Sequence, residues 1–576
     1  MLLRKLLPLL IFFIILSHTG LQSQSSPLVI QNINWIDVVN GQSNFGTILI
    51  ENDRIRSVNY NGPFTTDMQI VNGQGKWLMP GMIDAHIHLF QSGGLYTRPD
   101  VLDLTEFRDY ETERKWVEAA APDFLKRYLR CGITTVIDVG GPMSNYEIRN
   151  QYGHSTAYPN LFLTGPLVST YQPEAFQIDD PPIIKVDSKE EAVALVQQQL
   201  PYQPDFIKIW YIVLPGQSAE ATYEIVQATI EESHRHGLKV AVHATQLETA
   251  RLAVQAGADI LVHSVDDPLD EVFINELINK KVVYIPTLTV HGNYVTTFKQ
   301  DTKPSQADFL LANPLTLGSL YDPEHFPAGN ALEKRQANLP AVEKYYHRTD
   351  SINRANLKRL TRYPVTIATG TDAGNIGTLH AASYYDEMLA MQDAGMSAAQ
   401  ILQASTINGA KVLDKDSDLG SVEDGKIADL ILLNANPLDD IRAVQDVAYV
   451  IKSGQLMATD TMLTETPEYL VQQQLNGYNA RNIEAFLAPY SEEVELYNFP
   501  DILIGKGKDN IRPNYQNMFN QIPELHCKLM NRTILGNTVI DQEYVTGFPN
   551  GNALEAIAIY KIENHKIAKV YFIAKN

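Results

Sequence analysis

Between residues 81 and 413 the apolar positions gather into short runs divided by stretches of helical spacing. The runs are 82–89 (MIDAHIHL), 132–139 (GITTVIDV), 161–169 (LFLTGPLVS) and 205–211 (DFIKIWY). They continue as 239–245 (KVAVHAT), 259–265 (DILVHSV), 282–290 (VVYIPTLTV) and 365–371 (VTIATGT). Nearly continuous apolar runs of this length read as strands buried on both faces, as parallel strands are. Helices fit between them, one over 219–236 stopped by Gly237 and one over 247–256 stopped by Gly257. Ser397 and Gln400 form a capping box, with Met396 and Ile401 placed as its hydrophobic staple. Eight strand–helix units predict an α/β fold, a (β/α)8 TIM-like barrel over 81–413. The largest insertion, 291–335, is rich in Asn, Pro, Gly and Thr and follows the seventh strand. It is expected to be a lid or a substrate loop.

The flanks have a different texture. Residues 28–80 alternate apolar and polar positions, with Asn-Gly pairs at 40–41, 61–62 and 72–73 that favour tight turns. The alternation returns at 426–437 (KIADLILLNANP) and 449–457 (YVIKSGQLM). The segments 28–80 and 414–460 are therefore expected to join in one composite β-sandwich. Residues 465–576 break the pattern again, with an amphipathic helical stretch over 465–490 and strand-like runs at 537–548, 553–563 and 566–575. They predict a separate α+β domain.

At the start, Arg4 and Lys5 precede the apolar run Leu6 to Leu16, and small polar residues follow. A run that short is not a membrane span, which needs roughly 20 residues. Residues 1–23 read as a secretory signal peptide with Ser23 last before cleavage, so the mature protein is expected to be exported, periplasmic or extracellular, and off the membrane. The chain of 576 residues carries 46 Lys plus Arg against 67 Asp plus Glu, a net charge of −21. That balance repels phosphate backbones and argues against nucleic acid. Two cysteines, Cys131 and Cys527, are too few for a disulfide framework or a cysteine zinc cluster.

Chemistry concentrates at the ends of the strands. His86 and His88 lie two apart, so on a strand both imidazoles face one side and can reach one metal. His243 and His263 are each the lone histidine of an apolar strand, at the same height on neighbouring strands. Asp372 ends the eighth strand in TGTDAG; it is either a turn-maker or a carboxylate that touches metal and water and shuttles a proton. Lys208 lies inside DFIKIWY, where a buried ammonium is costly. It either snorkels outward between helices or turns inward, uncharged, and takes up carbon dioxide as a carbamate bridging two metals. His234 and His236 suit a helix C-terminus. His291 and His380 are the better candidates for substrate contact, since they follow strands seven and eight.

PGMIDAHIHL, DFIKIWY, VAVHAT, ADILVHS and ATGTDAG, followed by KIADLILLNANPL, resemble the amidohydrolase superfamily. The likeness is to its imidazolonepropionase-like and Xaa-Pro dipeptidase-like members and covers about 28–460. It implies a barrel with a composite sandwich, a metal held by His86, His88 and Asp372, a second held by His243 and His263, and a carboxylated Lys208 between them. Imidazolonepropionase itself uses one metal and no such lysine, so Lys208 points to the two-metal branch. Two zinc ions are the first expectation, and manganese, iron or cobalt suit the same ligands. The implied activity is cleavage of an amide bond in a small substrate, such as a dipeptide or N-acyl amino acid, by a metal-activated hydroxide. One-metal hydrolysis of a cyclic amide or lactone, or deamination, is the alternative. YNARNIEAFLAPYSEEVELYNFPD (478–501) resembles the SnoaL-like domains, cone-shaped folds with a pocket, many of which dimerise, and the likeness covers about 465–576. Here that implies either a homodimer interface or binding or isomerase chemistry, for which Asp541, Glu543 and Glu555 are available.

Overall fold

A computed structural model of the chain describes residues 26–574; the signal-peptide reading of 1–23 lies outside them. Both flanks join in one hydrogen-bonded sheet of eight strands. Leu430–Leu433 pairs antiparallel with Trp77–Pro80, which ties the late segment to the early one. The sheet curls so that its edge strand Arg54–Ser57 meets the approach to Leu430–Leu433, where Ile55 N donates to Lys426 O at 2.9 Å and Ala428 N to Asp53 O at 2.7 Å. Its fill is apolar, with Ile30, Ile48, Leu78, Leu430 and Ile451 in one cluster. The two flanks, expected to come together in one composite unit, do share this sheet.

The central region forms two parallel sheets. One contains Met82–Ile87, Ile133–Asp138 and Asn160–Leu163. The other has seven strands, in the order Ile183–Lys185, Leu167–Ser169, Ile207–Trp210, Val240–His243, Ile260–Val262, Val283–Ile285, Thr366–Ile367. Hydrogen bonds join the sheets at both seams. At one, Asp205 N donates to Leu163 O at 3.0 Å; at the other, Ala85 N donates to Thr369 O at 2.9 Å and Asp372 N to His86 O at 2.7 Å. Alternate residues face two different environments, as the pleat requires. Ala241, Ile260, Val262, Val283 and Ile285 pack together on the inner side, whereas Val242, Leu261 and Tyr284 pack against the outer helices.

Each strand is shorter than its apolar run, and in two runs a proline or glycine sets the break. Residues 161–169 divide at Gly165 and Pro166 into Asn160–Leu163 and Leu167–Ser169. The run 282–290 stops at Ile285, because Pro286 has no N–H to continue the ladder. Beyond it the Glu387 carboxylate accepts from Leu288 N at 2.7 Å and Thr289 N at 3.0 Å, and the helix Val290–Phe298 begins. The expected loop 291–335 is largely helical, with Gln306–Leu311 and Pro314–Ser319 inside it and Ala331–Ala337 across its end.

The C-terminal domain has the helices Pro467–Asn479, Ile483–Leu487 and Lys508–Gln521 over a six-stranded sheet. It docks against the insertion. Asn476 Nδ2 donates to Pro314 O at 2.8 Å, and His325 Nε2 lies 2.6 Å from His526 Nδ1. Arg127, buried in the helix Tyr110–Arg130, reaches Glu465 at 2.9 Å. Among the described residues no helix is long and apolar enough to cross a membrane.

Candidate metal centre and active site

His86 Nε2, His88 Nε2 and Asp372 Oδ1 form a near-equilateral triangle. The sides are 3.4 Å between the imidazoles, 3.3 Å from His86 to the carboxylate and 3.2 Å from His88 to it. A metal about 2.0–2.1 Å from each ligand in tetrahedral array needs ligand atoms about 3.3 Å apart. The triangle therefore fits a divalent ion, and among the described residues it is the one group of three or more potential ligands this tightly drawn together. His88 Nδ1 lies 2.8 Å from Gly140 O. Donation there places the proton on Nδ1 and leaves the Nε2 lone pair for a ligand bond.

The backbone is bent to make this geometry. Asp372 has φ +60° and His263 φ +73°, a region that residues with a Cβ rarely adopt. Asp372 N donates to His86 O, and His88 N donates to Ala373 O at 2.8 Å, so the two loops hold one another. Thr371 adds Oγ1–H to Asp84 Oδ2 at 2.7 Å and N–H to Asp84 Oδ1 at 3.1 Å. Asp84 is fully buried, and burial pushes its carboxyl up to about 8 against those hydrogen bonds.

His243 and His263 stand beside the triangle, their ring centres 4.4 Å apart, with His263 4.8 Å from His86. His263 Nδ1 lies 2.8 Å from Thr287 Oγ1 and 3.9 Å from Asp372 Oδ2. Burial drives the basicity of His86, His243 and His263 well below the usual imidazole value, and the Lys208 charge adds to it. Neutral imidazoles are the ligand form.

Lys208 is 1% exposed, and its Nζ has no hydrogen-bond partner. Burial lowers its pKa to about 7, opposed by the Asp372 carboxylate. The side chain faces inward rather than snorkelling, and it shares a cavity wall with His88, His243, His263 and Asp372. The cavity holds about 360 Å³. Trp210, opposite His243 in the strand register, and Tyr294 supply aromatic walls.

The two remaining histidine candidates part company. His291 lies in the first turn of the helix Val290–Phe298, not at the end of a strand, and it lines the cavity. His380 is 3% exposed and has both ring nitrogens engaged, Nε2 with Gln91 O at 2.8 Å and Nδ1 with Tyr128 OH at 3.0 Å. It braces the loop below the site and is not on the cavity wall. Asp84 was missed in the sequence, although Asp84, His86 and His88 share the same two-residue period. Arg98 was missed as well; it lines the cavity and is clamped by Asp100 at 2.7 and 2.6 Å.

Comparison with protein families matches residues 77–457 to the Amidohydrolase family. The chain belongs to the amidohydrolase family. Residues 471–570 match the SnoaL-like domain. This amidohydrolase is 22% identical over 489 positions to the imidazolonepropionase of Shouchella clausii, which covers 77% of the chain and 91% of that relative. It is 38% identical over 87 residues to the 5-methylthioadenosine/S-adenosylhomocysteine deaminase of Teredinibacter turnerae, 14% of the chain and 20% of that protein. Among solved structures, a Xaa-Pro dipeptidase with bound methionine superposes with a TM-score of 0.58 at 23% identity, over 75% of this chain and all of the other. Ochratoxinase of A. niger superposes at 0.56 with 18% identity, over 76% of this chain and 96% of the other. These likenesses show the fold. Membership makes the chain a hydrolase of carbon–nitrogen bonds from a metal-dependent family, in keeping with the His86–His88–Asp372 triangle.

Proposed function

We propose that this amidohydrolase is an exported two-metal enzyme that cleaves the amide C–N bond of a small substrate, such as a dipeptide or an N-acyl amino acid. The observation that carries the reading is Lys208 Nζ, an orphaned buried amine beside two histidines that the triangle leaves unused. A neutral amine there can take up carbon dioxide, and the carbamate supplies two oxygens where a bare ammonium would meet no partner. His86, His88 and Asp372 would then hold one ion, His243 and His263 the other, with Lys208 bridging. Zinc suits the donor set, as do manganese, iron and cobalt. Joined at both seams, the two parallel sheets are read as one eight-stranded barrel, with Leu167–Ser169 and Ile183–Lys185 as an added pair of strands and this site at its C-terminal end.

When bound, the metal pair would acidify a water and polarise the scissile carbonyl. The protein supplies the proton path. Asp372 Oδ1 belongs to the triangle, and its second oxygen, Oδ2, 3.9 Å from His263 Nδ1, would accept the proton of the attacking water. The same carboxyl then delivers that proton to the leaving nitrogen. Trp210 and Tyr294 keep the reacting amide out of bulk water.

A one-metal deaminase or cyclic-amide hydrolase is the second reading, because the triangle is compact without Lys208. Chemistry in the C-terminal domain is disfavoured. Arg532 clamps Asp541 at 2.8 and 2.7 Å, Glu543 accepts from Tyr560 at 2.9 Å, and Glu555 accepts from Gln542 at 3.3 Å. That domain is assigned instead to a homodimer contact, through the outer face of its sheet.

The test is Asp372→Asn in the metal-loaded protein, assayed on dipeptides and N-acyl amino acids. Turnover should fall about 10²–10⁴-fold with the melting temperature kept. Near-normal turnover would remove Asp372 from the proton path.

A further inference from the structure

The geometry points to Arg335 as the residue that selects substrates with a carboxylate at the end remote from the metal centre. This inference rests on the hydrolase reading above and narrows its substrate class.

Arg335 lies on the helix Ala331–Ala337, inside the insertion, and lines the same cavity as His243, His263 and Asp372. Its guanidinium carbon sits 5.4 Å from the centre of the Phe298 ring. A guanidinium held over a ring face can still offer its N–H groups to an acceptor. The helix that carries it is fixed, because Gln336 Nε2 donates to Phe298 O at 2.8 Å. Among the described residues no carboxylate pairs with Arg335, and no carbonyl accepts from it.

The other charges in the cavity are spoken for. Arg98 is held by Asp100 and also donates to Tyr294 OH at 3.3 Å. Lys208 and the histidines face the metal centre. The wall's one carboxylate among the described residues is Asp372, which belongs to that centre. A solvated arginine on a helix surface is ordinary, and exposure alone would carry nothing. Here the free cation shares a cavity with reactive groups, over an apolar lining that includes Val295, Phe298 and Val342. Such a lining holds an apolar body, and the planar fork fits a carboxylate in bidentate fashion. The match is a molecule with an amide at one end, an apolar middle and a carboxylate at the other, as in an N-acyl ω-amino acid whose methylene chain separates the two groups.

The experiment compares N-acetyl-6-aminohexanoate with its neutral amide, N-acetyl-6-aminohexanamide. Binding to the metal-loaded protein is measured by calorimetry, and hydrolysis is followed in parallel. Wild type should bind the acid at least tenfold more tightly than the amide. R335Q should bring that ratio to about one, and R335K should restore part of it. Equal binding of the two probes by wild type, no binding of either, or a ratio that survives in R335Q would overturn the assignment. The two readings fail separately. Discrimination without metal-dependent hydrolysis of any acylated amino acid would sink the hydrolase reading and leave Arg335 as an anion reader. Hydrolysis that prefers neutral amides would do the reverse.

Discussion

A Cβ on Gly370 would lie 2.6 Å from Ile285 Cγ2, 2.8 Å from His86 Cβ and 3.0 Å from His86 N. Two of those three atoms belong to a ligand residue, so the strand carrying Asp372 reaches His86 only because position 370 has no side chain. Gly370→Ala should cost about 1–3 kcal/mol through overpacking. It should also weaken metal binding by widening the triangle, which thermal melts and a metal titration would show together; unchanged values in both would contradict the close approach. The metal candidates were legible because an imidazole or an amine inside an apolar strand stands out against its neighbours. Arg335 was not, because a basic residue on an amphipathic helix looks like solvated surface until its cavity is seen. His380 shows the opposite error, since proximity to strand eight in sequence does not tell which way a ring points.

Elements were legible where one kind of patterning ran uninterrupted. The apolar runs gave the strands, but two run ends were set by single residues, Gly165–Pro166 and Pro286, that remove ladder donors or admit a bend. Ile183–Lys185, three residues long, carried too little pattern to be seen. The insertion misled by composition. Its Asn and Pro residues read as loop, yet Asn313 with Pro314, and Asn330, are the caps and first turns of helices. In the C-terminal sheet, alternation shows a two-sided element whose outer face is apolar. Ile540 lies opposite Ile559, Ile559 opposite Tyr571, and Ile557 opposite Ile573, and Ile540, Ile557 and Ile573 are exposed. A contiguous outward patch of this kind fits a second copy of the same face. Ile557→Glu should turn the expected dimer into a monomer in sedimentation without unfolding it; a wild-type monomer would retire the interface.

At the scale of the whole molecule, the insertion joins the strand–helix body to the C-terminal domain. Its inner side walls the metal cavity through Tyr294 and Arg335, and its outer side carries Pro314 and His325 into the C-terminal domain. The domain thus braces a wall of the site without adding a residue to the cavity. The curled sheet braces the opposite end, where Asp429 O accepts from Gly81 N at 2.8 Å just before the strand bearing His86. The fold therefore serves one feature, a buried centre in which Lys208 either bridges two ions or stands idle. Metal per chain, counted in protein expressed with bicarbonate and divalent metal, separates those outcomes. Wild type should carry about two ions and Lys208→Ala about one. One ion in wild type, unchanged by Lys208→Ala, would contradict the carbamate bridge and leave the one-metal reading in its place.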